Sequence, residues 1–373
     1  MTYKRLSVHS GPIPRQIRKA SPEDEPILAL ADKLAPELAR AVADALQAQA
    51  DSIPYDVIVE AVESGNPAQL LALLDSRAVE SAGMGLQTAL QTVTVAAGVA
   101  EALKITRLTG IEFRFNTLNP QLVTWLQGYS FDLIRQINDT TKTAVREQLT
   151  GGMIAGAGPR DTARDVRQSI GLTDRQARAV ENFRAELEQF HLKRTAGGWN
   201  LGGKISRAPG GAQVFALDSE GNIKDGILER RLRDFRHDRA LIRAMESGKA
   251  LTPEQIDRMV AAYARKYLKY RSEMIARTET LRATNAGAQE SWRQAIERGV
   301  VAQELVRRMW IVGRDERVCS ICRPIPGMNP ARGVRFDQPF NTPKGPKFLP
   351  PLHPADRCSV NIRAWEPSQL AGE

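Results

Sequence analysis

The sequence predicts a mainly α protein, with an elongated multi-helix body and a small, irregular α+β module at the C-terminal end. Apolar residues follow helical spacing over residues 21–189 and again over residues 252–299, without the sustained alternation that strands require. After Val300 the chain becomes rich in proline and glycine, which excludes long helices. The stretch RRMWIVGRDERVC, which begins at Arg307, is dense in apolar and aromatic residues and predicts a short strand leading to a turn.

Five segments are predicted from these changes along the 373 residues. They are an N-terminal helical region (1–110), a second helical region (111–191), a glycine-rich linker or insertion (192–222), a long-helix region (223–300) and a Cys/His C-terminal module (301–373). The composition, 42% hydrophobic and 25% charged, is typical of globular proteins. No apolar run follows the basic N-terminus, so we expect neither a secretory signal nor an anchor, and a protein that stays in a cytosol.

The net charge of +9 is distributed unevenly. Residues 1–100 contain 8 Lys and Arg against 12 Asp and Glu, so the rest of the chain carries the whole positive excess. A positive field of this kind favours polyanions, either nucleic acid or an acidic protein surface.

The most apolar stretch of the first half covers residues 84–105. Glutamines, threonines and Glu101 interrupt it, and because a bilayer core would penalise them, we predict a packed helix of small residues. A capping box of Thr173 and Gln176 predicts a helix start. Residues 192–222 break the helical periodicity and are predicted to be either a flexible connector or an insertion that a partner orders.

Thr252 and Gln255 predict the start of a long helix, and Gly299 predicts its end. One stripe of this helix is apolar and is predicted to face the core: Met259, Tyr263, Tyr267, Tyr270 and Met274. Basic residues lie largely off the stripe, where they are either a solvated face or a contact with DNA or an acidic partner: Arg265, Lys266, Lys269 and Arg271.

All three cysteines of the chain lie near its C-terminal end, together with one histidine. Cys319 and Cys322 form a C-x-x-C pair, and His353 and Cys358 form a second close pair. Two such pairs are what a tetrahedral zinc site requires, and four protein ligands leave no position for a catalytic water. We therefore predict a structural zinc ion that supplies folding energy to a module with little core.

Two other interpretations of the cysteines stay open. The thiols can be packed without metal, or the C-x-x-C pair can be a redox pair. Disulfides are disfavoured by the odd number of cysteines. A zinc deaminase is excluded, because the histidine follows the cysteine pair and lacks the required His-x-Glu pattern.

Three stretches of the second half share a recognisable pattern: MIARTETLRATNAGAQESW, MWIVGRDERVCSIC and PPLHPADRCSVNIRAW. These stretches resemble the phage Mu F-like head morphogenesis family, whose members are also called minor head or minor capsid proteins. They place these residues at the positions of the family signature: Arg277, Thr278, Glu279, Asn285, Trp310, Asp315, Arg317, Cys319, Cys322, Pro350, Pro351, His353, Pro354, Arg357 and Cys358. The resemblance is specific over about residues 270–365 and does not extend to residues 1–110.

The resemblance implies a virion protein present in few copies inside the assembling phage head, and in the host cytoplasm during assembly. It implies portal, major capsid or scaffold proteins as partners, and possible roles in DNA packaging or ejection. Some relatives carry an additional C-terminal toxin or enzyme domain, and we expect none here. Arg277 and Glu279 are two residues apart on a helix and do not face each other, so we expect each to have a structural partner of its own.

The sequence is compatible with two functions of different classes. The first is a non-enzymatic minor head protein with no catalytic residues, whose basic surplus suits sequence-independent contact with packaged double-stranded DNA. The second is a metal-dependent enzyme that acts on nucleic acid or nucleotide, for which Glu279, Asp315 and His353 are the residues whose replacement would abolish turnover.

Overall fold

The structure, a computed structural model, describes residues 25–195, 206–207, 213–214, 230, 232–247, 249–312, 319–354 and 356–370. Helices make up most of this part of the chain, and their bounds are α1 Glu25–Ser52, α2 Tyr55–Glu63, α3 Ala68–Thr109, α4 Pro120–Ala155, α5 Pro159–Ser169, α6 Asp174–Thr195, α7 Asp238–Ser247, α8 Pro253–Glu297 and α9 Pro367–Leu370. None of the helices in these ranges combines the length and apolarity that crossing a bilayer requires.

Strands are few and short in the described ranges. Within the glycine-rich segment, β1 (Ser206–Arg207) and β2 (Gln213–Val214) pair antiparallel, and most of the remaining segment lies outside the described residues. The C-terminal module contains β3 (Val306–Ile311), β4 (Val334–Arg335) and β5 (Ser359–Ala364) in an antiparallel sheet of order β4-β3-β5. The mainly α class and the irregular α+β C-terminal module are therefore confirmed.

The chain divides into two compact units that are built from separate stretches. Unit 1 comprises Met1–Ala35, Leu90–Leu122 and Arg277–Glu373, and unit 2 comprises Pro36–Ala89 and Val123–Ala276. The five predicted segments follow chain order instead, and that division remains a prediction.

The predicted helix signals are found at the ends of α6 and α8. Thr173 and Gln176 exchange hydrogen bonds of 3.1 and 3.4 Å, and Thr252 and Gln255 exchange bonds of 2.9 and 3.3 Å. Each pair satisfies two backbone N–H groups that a helix start leaves without partners. Gly299 has a φ of +69° just after α8, where the absence of a side chain permits the left-handed conformation that ends the helix.

In unit 2, the first turns of α8 pack against α6 and α7. Met259 and Tyr263 are buried in this core, where the Tyr263 ring lies 4.5 Å from the ring of Phe183. The predicted apolar stripe is only partly buried, since Tyr267 is half-buried and Tyr270 is 44% exposed. Spacing identifies a stripe, but its burial depends on which helices lie opposite it.

In unit 1, the C-terminal module shares an apolar core with α3 and the second half of α8. Trp292 and Ile325 are completely buried in this core. α3 and α8 approach each other closely at Gly287, where a Cβ would lie only 2.2 Å from the carbonyl oxygen of Thr94. The module is thus not as poor in core as the sequence predicts.

A buried arginine organises the loops beside the sheet. Arg308 of β3 is fully buried, and its guanidinium donates to the backbone carbonyls of Phe348, at 2.6 Å, and Gln338. Burial lowers the pKa of Arg308 to about 10. The guanidinium also lies 5.2 Å from the centroid of the Phe340 ring, and Trp310 packs edge-on against the same ring at 5.3 Å.

Candidate metal centre

The predicted Cys/His residues lie in two connecting segments of unit 1. Cys319 and Cys322 lie in a turn after β3, and His353 and Cys358 lie just before β5. Residues 313–318, which join β3 to the turn, are outside the described residues, and they include the signature positions Asp315 and Arg317. Because β3 and β5 are neighbours in the sheet, the two segments are brought to the same end of it.

Three of the four predicted donors converge. The Nε2 atom of His353 lies 3.0 Å from Sγ of Cys319 and 3.3 Å from Sγ of Cys322. Nδ1 of the same ring lies 2.8 Å from the carbonyl oxygen of Pro354. Since a carbonyl can only accept, Nδ1 carries the proton, and the lone pair of Nε2 faces the two sulfurs, as a metal ligand requires.

The fourth predicted donor belongs to a second, overlapping set. Cys358 groups with Cys322 and Asp356, and the donor atoms in this set lie within 4.8 Å of one another. Cys322 is shared by both sets, so the cluster contains five donors rather than the four that the sequence predicts. Asp356 was missed, although its place between His353 and Cys358 in the sequence could have indicated it.

The electrostatics of the cluster favour a bound cation. Burial, reinforced by the charge of Asp356, raises the pKa of Cys322 to about 12 and that of Cys358 well above its ordinary value. The pKa of Cys319 is lowered instead: its burial raises the pKa, but the hydrogen bond that its sulfur accepts from the backbone N–H of Cys322 acts in the opposite direction. A metal ion reverses the penalty on buried thiolates, since a coordinated thiol is deprotonated outright. The residues therefore fit a metal ion, with sulfur and imidazole donors of the kind that zinc takes.

Helix α8 holds the cluster segment through Asn285, one of the signature positions. Its side chain is fully buried, donates to the carbonyl oxygen of Pro350 at 3.2 Å and accepts from the backbone N–H of Val360 at 3.0 Å. Both ends of the segment that contains His353 and Cys358 are thus attached to one side chain. We infer that Asn285 positions the cluster, a role that the sequence alone did not assign to it.

The other signature residues are structural in their surroundings. Glu279 is buried, and it forms an ion pair of 3.1 Å with Arg282 on its own helix. Burial raises the pKa of Glu279. Thr278 and Trp310 are buried, whereas Arg277 is half-buried.

The basic residues predicted for a DNA or partner contact separate into two groups. Arg265, Lys266 and Lys269 are exposed on α8 in unit 2. Arg271 departs from the prediction, because it is only 5% exposed and its guanidinium donates to the carbonyl oxygens of Gly171 at 2.6 Å and Ile137 at 3.0 Å. Burial lowers its pKa to about 10. Arg271 ties the helices of unit 2 together and cannot contribute to a surface contact.

Comparison with known proteins gives one finding. Residues 237–361 match the sequence profile of the family described as Phage Mu protein F like protein. No curated protein and no solved structure matches the chain. The matched range contains α8, β3 and every donor of the Cys/His cluster. The resemblance stated from the sequence is therefore confirmed: residues 237–361, about a third of the chain, are similar to the phage Mu F-like head morphogenesis family.

Proposed function

We propose that the protein is a phage minor head protein that acts in head assembly at the portal vertex, and in DNA packaging or ejection, without enzymatic activity. The observation that carries this proposal is the family match over residues 237–361. Its partners are the portal protein and the major capsid or scaffold proteins, and it resides inside the virion after assembly in the host cytoplasm.

Head assembly is tested in the phage that encodes the chain. Deletion of the gene is expected to lower the yield of filled heads, and an asymmetric reconstruction of purified particles is expected to show density for the protein at one vertex. Expression of the chain from a plasmid serves as the control, because it should restore the yield. Normal yields without the gene, together with absence of the protein from particles, would overturn the proposal.

We further propose that the Cys/His cluster binds one structural zinc ion. This proposal is supported by the imidazole lone pair that faces the Cys319 and Cys322 sulfurs, and by three cysteines that form no disulfide, of which Cys322 and Cys358 are buried. Four protein donors close the coordination sphere, so the ion would contribute folding energy rather than chemistry.

Metal analysis of the purified full chain tests the zinc site. We expect one zinc ion per chain, and we expect Cys322→Ser to lower zinc content and unfolding temperature together. Ser320→Ala is the matched control, because Ser320 lies in the same turn but is exposed. Protein that stays metal-free after exposure to zinc, with an unfolding temperature that zinc does not change, contradicts this part.

A contact with packaged DNA would use the exposed basic residues of α8. Arg265, Lys266 and Lys269 project from one stretch of helix in a part of the chain with a positive excess. Replacing all three by alanine removes up to three phosphate contacts, so the slope of log K against log salt should fall by about 2.7. Exposed Arg135 and Arg146 of α4 provide a control double variant. An unchanged slope in the triple variant excludes this surface.

The absence of catalysis is also open to test. The proposal is supported by the ion pair that the Glu279 carboxylate forms with Arg282. It is also supported by the number of protein donors in the cluster, which is large enough to leave no coordination position for water. Zinc-loaded protein is expected to turn over neither plasmid DNA nor nucleoside triphosphates. Turnover that Glu279→Gln or His353→Ala abolishes would favour the metal-dependent enzyme instead.

A further inference from the structure

Asp356 is a buried carboxylate in the second donor set of the Cys/His cluster, beside Cys322 and Cys358. It is 2% exposed, and its two oxygens accept the backbone N–H groups of Leu352, at 2.6 Å, and Cys358, at 2.9 Å. Both oxygens also lie 3.7 Å from Sγ of Cys322. No Lys or Arg in the described ranges forms an ion pair with this carboxylate.

The spacing between Asp356 and Cys322 is that of two ligands of one ion. With Zn–S of about 2.3 Å and Zn–O of about 2.1 Å, tetrahedral geometry separates a sulfur from an oxygen by about 3.6 Å. The observed 3.7 Å matches this separation before any metal-induced movement. If Cys319, Cys322 and His353 supply three ligands of one ion, the second set, which shares Cys322 with the first, offers Asp356 or Cys358 as the fourth.

Charge decides between these two donors. If Cys358 were the ligand, three thiolates on a divalent ion would leave a charge of −1, and the Asp356 carboxylate would add a second negative charge in direct contact with a ligand. If Asp356 is the ligand, its charge is neutralised by the ion, Cys358 stays an uncharged thiol, and the total is −1. Uncompensated charge is costly at a buried site, so the second arrangement is favoured.

We propose that Asp356, and not Cys358, is the fourth metal ligand, and that Cys358 is a neutral thiol packed against it. The backbone N–H groups of Leu352 and Cys358 orient the carboxylate and leave lone pairs on both oxygens for the ion. The inference rests on the zinc site proposed above and changes its composition from three sulfurs and one nitrogen to two sulfurs and two nitrogen or oxygen donors.

X-ray absorption at the zinc edge of the full-length, zinc-loaded protein tests this inference directly. Sulfur ligands at about 2.3 Å and nitrogen or oxygen ligands at about 2.0–2.2 Å are resolved as separate shells. We expect two of each. Three sulfurs and one light donor would overturn the inference and leave the zinc site in place, whereas a chain that binds no zinc would overturn both.

Two substitutions give an independent readout of zinc affinity by competition with a chelator. Cys358→Ala should change the affinity less than twofold, because the replaced thiol is not a ligand. Asp356→Asn should weaken it by at least about tenfold, the effect expected on loss of a ligand or its support. The opposite order, with Cys358→Ala the more damaging change, contradicts the inference. The absorption experiment on the unmodified chain decides the question if Asp356→Asn fails to fold.

Discussion

Replacing Asn285 by alanine is expected to destabilise unit 1 and to weaken metal binding at the same time. The side chain is fully buried and makes two hydrogen bonds, to the carbonyl oxygen of Pro350 and from the N–H of Val360. Alanine leaves both backbone groups buried without a partner. Each such group costs about 1–3 kcal/mol, so the free energy of unfolding should fall by about 2–6 kcal/mol.

Zinc affinity should fall in the same variant, because the segment between Pro350 and Val360 carries His353 and Asp356. Loss of a supporting residue around a metal site typically costs 10–100-fold in affinity. Alanine at Asn285 removes no donor, so a change of this size would report positioning alone.

Tryptophan fluorescence during urea denaturation is a suitable assay, because Trp292, Trp310 and Trp365 all belong to unit 1. Glu297→Ala is the matched control on the same helix: its carboxylate is 50% exposed, and the loss of its ion pair with Arg293 should cost less than about 1 kcal/mol. If the free energy of unfolding of the Asn285 variant falls by less than about 1 kcal/mol, or if its zinc affinity is unchanged, Asn285 does not position the cluster.

Two further predictions concern unit 1. Burial raises the pKa of Glu279 above its model-peptide value, so the stabilisation by its protonated form is complete below about pH 4.5 and is lost as pH rises through the raised pKa. Glu279→Gln should therefore gain stability relative to the parent between pH 4 and 7. Equal pH profiles of the two proteins in denaturant titrations would contradict this. At Gly333 the φ is +93°, and a Cβ would lie 2.3 Å from the carbonyl oxygen of Arg308, so Gly333→Ala should lower the free energy of unfolding by more than about 1 kcal/mol. Gly327 has open space around it, so Gly327→Ala should change that free energy by less than about 0.5 kcal/mol. Similar losses of unfolding free energy in both variants would show that the close approach is absent.

Local signals in the sequence predicted local structure well. The capping boxes at Thr173 and Thr252 and the glycine at 299 were recognised because each satisfies backbone groups within a few residues of itself. The cysteine pair was recognised for the same reason, since C-x-x-C spacing alone brings two sulfurs together. Asp356 was not recognised: its place between His353 and Cys358 was a signal, but only the fold shows that its carboxylate is buried beside Cys322 and Cys358.

Positions whose environment depends on distant segments could not be predicted. Lys269 and Arg271 are both basic and only two residues apart on α8, yet one is exposed and the other is buried. What separates them is the pair of carbonyl groups, from Gly171 and Ile137, that the fold places beside Arg271. Helical periodicity predicts which face of a helix a side chain lies on, but it does not predict which other segments pack against that face.

The same limit applies to the proposed role of the metal. The sequence of the C-terminal module indicates little core, and from this we predicted that zinc supplies its folding energy. The structure instead places Phe336 and Phe340 of the module in the same buried apolar core as Trp292 of α8, so the sheet has more core than the sequence indicates. The donors lie in the turn at Cys319 and the segment around His353, outside the strands. The zinc ion proposed above would join these two segments on the frame that the sheet supplies.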